Sequence, residues 1–133
     1  MVYKHIVMWK FKEQHNGKSA LENARWMKEQ LEGLVGVVPE LLSAEVGISP
    51  ALEQAAAVPS DAAAAQSNAV AAPSNAAAPA QAASGEYDAC LLSAFASPEA
   101  LAAYKVHPKH KAISAYCKEA RLKRLAFDWW SEE

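Results

Sequence analysis

The chain has little of what would place it in several protein classes. It carries two cysteines, Cys90 and Cys117, among 133 residues. That is too few for a disulfide framework, and neither falls in a metal-ligating spacing, so both are expected as free, buried thiols. Neither sign of charge dominates: the formal net charge is −2 and the pI is near 6.1, which leaves no basic footprint for nucleic acid. Long apolar runs are missing as well. The opening Val2-Tyr3-Lys4-His5-Ile6-Val7-Met8-Trp9-Lys10 is interrupted by charge, and no stretch approaches the roughly 20 apolar residues of a membrane span or shows the core of a signal peptide. A soluble, cytoplasmic protein without membrane or nucleic-acid partners is expected.

Hydropathy patterning supplies the elements. Residues 2–12 alternate, with Tyr3, His5, Val7, Trp9 and Phe11 on one face and Val2, Lys4, Ile6, Met8 and Lys10 on the other, which predicts a strand with two partly apolar faces. Asn16-Gly17 marks a turn, and Ser19-Ala20-Leu21-Glu22 has the form of a capping box that opens a helix. Ala20, Ala24, Met27, Leu31 and Leu34 form that helix's apolar stripe; Trp26 falls nearly opposite it and is expected to be exposed or to anchor an interface. Residues 42–48 and 87–95 alternate again as two further strands. Ser97-Pro98-Glu99 begins a second helix, which breaks at Pro108 and resumes across Ile113, Tyr116 and Cys117. A last strand runs from Arg121 to Trp130, with Arg121, Lys123 and Arg124 keeping its start solvated and Asp128 expected as a solvated strand-end carboxylate.

Between the second and third strands lies a segment of different character. Residues 51–85 are about half alanine, with Pro59, Pro73 and Pro79 and little charge. Lacking large side chains, the segment is expected as a flexible Ala/Pro-rich insertion, with at most a short helix over 62–70 capped by Ser60-Asp61. The remaining residues, about 98, suffice for one small domain, so residues 1–133 are taken as a single domain.

The order β-α-β-β-α-β describes an α+β ferredoxin-like sheet whose helices cover one face only. An apolar second face needs a partner, so a homodimer with two sheets packed into a barrel is expected, with Trp9 or Phe11 buried on association. The chemistry-bearing stretch is Tyr104-Lys105-Val106-His107-Pro108-Lys109-His110, which sets a phenol and two imidazoles within about two helical turns at a proline break. Its histidines could serve acid–base chemistry, could satisfy backbone groups that the proline leaves free, or could join His5 as three nitrogen ligands of a metal. No acidic or thiol ligand lies at matching spacing, so no metal is expected.

Lys4-His5-Ile6-Val7-Met8-Trp9-Lys10-Phe11-Lys12, Tyr104-x-x-His107-Pro108-x-His110 and Phe127-Asp128-Trp129 together resemble the stress-responsive α/β-barrel (Dabb) family. The resemblance covers everything but the insertion. It implies a dimeric barrel of two ferredoxin-like units, with members that range from stress-associated proteins to a cofactor-independent polyketide cyclase. In cyclase-like members the roles of general base and of orienting phenol would fall on His110 and Tyr104, with His5 near the same cavity. His5, His107 and Trp9 are taken as candidate substrate contacts, with no cofactor. The function expected is binding of a small apolar or aromatic molecule in the barrel. The alternative is a cofactor-independent enzyme of the polyketide cyclase or barrel monooxygenase type.

Overall fold

The computed structural model describes residues 1–57 and 86–132. Among them β1 is Val2–Phe11, β2 Gln14–His15, β3 Lys18–Ser19, α1 Ala20–Glu32, β4 Ser43–Ile48 and α2 Pro50–Ala57. There follow β5 Ala89–Phe95, α3 Pro98–Val106, α4 Pro108–Ala120 and β6 Arg121–Ser131. The long strands form a four-stranded antiparallel sheet in the order β4-β5-β1-β6, which is the ferredoxin-like arrangement.

Local chemistry sets the element ends. Asn16 and Gly17 both have positive φ, 59° and 75°, the pairing required by the tight turn that joins β2 and β3. Ser19 then caps α1: its hydroxyl accepts from the Glu22 amide while the Glu22 carboxylate accepts from the Ser19 amide. Asn23, one turn on, is fully buried. Its amide nitrogen donates to the carbonyls of His15 and Lys18, and its oxygen accepts from the Tyr116 hydroxyl, so it ties the hairpin, α1 and α4 together. Trp26 is not left in solvent. It is partly buried, with its ring 4.6 Å from that of Tyr116, because α4 lies along that flank of α1.

Trp9 and Phe11 are buried inside the protomer, not held back for association. They are 5% and 2% exposed and pack with Met27, Leu31, Phe95 and Ile113, because the helices cover the sheet face on which they stand. The opposite face remains open. Register pairs Ile6 with Leu92 and Phe127, and Met8 with Cys90 and Leu125. Leu125 and Phe127 on β6 are 51% and 64% exposed. This face thus carries an exposed apolar stripe.

Of the segment expected as an insertion, residues 51–57 continue α2, and Leu52 packs against the core. The segment thus does begin with a large apolar contact, contrary to its reading as core-free. The short helix expected over 62–70 lies outside the described residues. Cys90 and Cys117 are free thiols, Cys117 buried and Cys90 half-buried. Among the described residues, no helix is long and apolar enough to cross a membrane.

Candidate active site

The site is built at the break between α3 and α4. His107 precedes Pro108 and takes an extended conformation, with φ −64° and ψ 136°, as sterics before proline demand. It closes α3 and opens α4 in one residue, and its Nδ1 accepts from the Lys109 amide at 3.1 Å. Capping occupies this imidazole, and His107 is not among the residues that line the cavity described below. Expected as a substrate contact, it stands outside that lining. The three-histidine metal grouping is not formed either, and the described residues hold no cluster of three or more His, Cys, Asp or Glu side chains suited to a metal ion.

The redirected first turn of α4 swings His110 back under α3. Its Nδ1 lies 3.2 Å from the Lys105 carbonyl. A carbonyl only accepts, so Nδ1 carries the proton and Nε2 keeps its lone pair. The ring rests 4.3 Å from that of Tyr104, which in turn lies 5.1 Å from Phe95. Tyr104 is 1% exposed, and its hydroxyl finds no hydrogen-bond partner among the described residues. Burial pushes its pKa well above the ordinary phenol value, so it stays protonated and able to donate.

β1 supplies the facing wall. His5 stands opposite Asp128 of β6 on the helix-covered side of the sheet, and its Nδ1 lies 2.5 Å from Asp128 Oδ1. Asp128 is therefore the partner of a buried histidine, not merely a solvated strand end. Because the carboxylate accepts, it holds Nδ1–H in place and leaves His5 Nε2 as an acceptor. Sequence reading missed this pair because 123 residues separate its members. Only the β1–β6 register brings them together.

His5, Trp9, Tyr104 and His110 all line one cavity of about 290 Å³ between the sheet and the helices. Its apolar lining includes Trp9, Met27, Leu31 and Ile113, and its cationic lining is Lys105, Arg121 and Arg124. The two arginines, expected only to solvate the start of the last strand, face the cavity because β6 is the sheet's edge strand and α4 ends beside it. Two imidazole acceptors and one phenol donor in a partly dry space can move a proton to or from a carbon acid or a hydroxyl.

Burial is the main cause that lowers the pKa of both His5 and His110; Asp128 and the Lys105 carbonyl respectively act against it, and nearby Lys105 and Arg124 add to the lowering. A histidine whose folded pKa lies below its unfolded value of 6.5 binds protons more readily in the unfolded chain. The stability of the neutral form is thus present above pH 6.5 and is lost progressively as the pH falls below it. The melting temperature is expected to drop below that pH, and His5→Gln or His110→Gln should flatten the drop. Equal pH slopes for the variants and the parent would show that neither histidine is responsible.

The family model of the stress responsive A/B barrel domain matches residues 3–61 and 52–131. No curated protein matches the chain. Among solved structures, a dimeric ferredoxin-like protein of unknown function from Bacteroides fragilis is similar at 20% identity and TM-score 0.65, covering 98% of this chain and 96% of that one. The hydroxynitrile lyase of Passiflora edulis is similar at 15% identity and TM-score 0.61, covering 99% and 95%. A Dabb family protein from Mesorhizobium loti, with a ferredoxin-like fold, is similar at 14% identity and TM-score 0.57, covering 99% and 98%. At these identities the structural likeness speaks for the fold alone. With its sheet order, its helices on one face and a family match along most of its length, the chain belongs to the stress responsive A/B barrel domain family.

Proposed function

We propose that this protein is a homodimeric barrel that binds a small molecule in the cavity between sheet and helices, with His5, Trp9, Tyr104 and His110 as its contacts. The observation that carries the reading is the Tyr104 hydroxyl, buried at the cavity and without a hydrogen-bond partner among the described residues. A buried polar group left unpaired costs about 1 to 3 kcal/mol, and a ligand acceptor would relieve that cost. The volume, about 290 Å³, lies at the lower end of ligand cavities and suits a single-ring molecule better than a long chain. The dimer is supported by the open apolar stripe and by the dimeric state of the ferredoxin-like relative from Bacteroides fragilis.

A second reading, cofactor-independent acid–base catalysis, is favoured by one feature. Both His5 and His110 have Nδ1 engaged and Nε2 left as an acceptor beside a protonated phenol. In that reading His110 removes the proton and Tyr104 stabilises the developing oxyanion.

Ligand-shift melting against small aromatic compounds tests the shared premise. A binder is expected to raise the melting temperature in proportion to its saturation. Ser114→Trp, at an exposed position that lines the cavity, should abolish the shift without disturbing the core. A shift that survives Ser114→Trp unchanged would place the ligand elsewhere.

A further inference from the structure

Three cationic side chains, Lys105, Arg121 and Arg124, line the cavity, and among the described residues none of them forms a salt bridge with a carboxylate. Asp128 is engaged by His5 and is not part of the lining. Among the described residues, no aspartate or glutamate contributes to the cavity wall. Charge of one sign gathered at a concave, partly desolvated surface focuses the field and favours a ligand of the opposite sign.

The charges are also ordered in depth. Trp9, Met27, Leu31 and Ile113 are each buried, at 5% exposure or less, whereas Lys105 and Arg124 are exposed and Arg121 is half-buried. The cavity therefore has a buried, mostly apolar floor, in which His5 and Tyr104 stand beside Trp9, Met27, Leu31 and Ile113, and a cationic mouth. From this gradient we infer that the ligand is a small aromatic carboxylate, seated with its ring on the apolar floor and its carboxylate toward Lys105, Arg121 and Arg124. The inference rests on the reading of the cavity as a ligand site and adds the ligand's charge and orientation. Two guanidinium groups suit it, because their planar forks match a carboxylate.

Benzoate and its neutral counterpart benzamide are probes of nearly equal shape that differ in charge. Titrated into the full-length protein by NMR, benzoate is expected to bind about tenfold more tightly than benzamide, with the preference shrinking as salt rises. Lys105→Gln and Arg124→Gln should each weaken benzoate about threefold to tenfold and leave benzamide unchanged. Lys105→Gln retains the backbone carbonyl that holds His110. Equal affinities for the two probes would overturn the charge inference while the cavity reading stands. A preference for benzoate that survives both substitutions would overturn the assigned orientation. Failure of both probes to perturb the resonances of Tyr104 and His110 at millimolar concentration would overturn the cavity reading and the inference with it.

Discussion

Phe127→Asp is expected to convert the protein from dimer to monomer, or to a poorly soluble species, whereas Trp9→Asp is expected to prevent folding altogether. The two aromatics differ in the face on which they stand. Phe127 is 64% exposed on the open side of the sheet, stacked 5.9 Å from Trp129 and in register with Ile6. A charge there leaves the protomer's own core intact. Between two apposed sheets it would be a desolvated carboxylate among apolar neighbours, which costs several kcal/mol. Trp9 is 5% exposed among Phe11, Met27 and Leu31. Truncating a buried tryptophan alone costs about 3 to 5 kcal/mol, against a typical domain stability of about 5 to 15. Adding a buried charge exceeds the margin. Sedimentation at micromolar concentration with circular dichroism on both variants separates these outcomes. A parent protein that sediments only as a 14.3 kDa species would end the dimer proposal.

Tyr104→Phe is expected to weaken ligand response about tenfold while leaving stability unchanged or raising it by about 1 kcal/mol. The hydroxyl has no partner among the described residues, so its removal abandons no hydrogen bond there and relieves a desolvated polar group. Phenylalanine keeps the ring contacts with Phe95 and His110. His110→Ala should differ in kind. It removes the bond to the Lys105 carbonyl and the ring on Tyr104, so a loss of about 1 to 2 kcal/mol accompanies complete loss of ligand response or turnover. Melting curves and ligand titrations on the same two variants decide the matter. A Tyr104→Phe protein that melts several degrees lower, with ligand response intact, would make the hydroxyl structural and sink the proposed role.

The elements themselves were readable in the chain because their signals are local. Alternation over residues 2–12 marked β1, the Ser19–Glu22 capping box marked the start of α1, and Pro98 and Pro108 marked the starts of α3 and α4. The pairing of Tyr104 with His110 was also legible, since one turn of helix on each side of a proline break keeps them near one another. The role of His107 was less so. A histidine before proline has the same spacing whether it faces a cavity or caps a helix, and the extended conformation that proline imposes on it decided for the cap.

What the sequence by itself determined was thus the order and type of the four long strands, of α1 and of the broken α3–α4 helix, and the neighbourhood of that break, whereas α2 and the short β2–β3 hairpin were not among its elements. Their one-sided packing was decided only in three dimensions. Both faces of β1 carry apolar residues, so alternation identified a strand but not which side the helices would cover. That choice buried Trp9 and Phe11 within the protomer and left Leu125 and Phe127 open. The same holds for the site's far wall. Arg121 and Arg124 meet the cavity, and Asp128 meets His5 behind its wall, through the antiparallel register of β6 on β1 and the edge position of β6. Register is a relation between strands more than a hundred residues apart, and no periodicity within either strand encodes it.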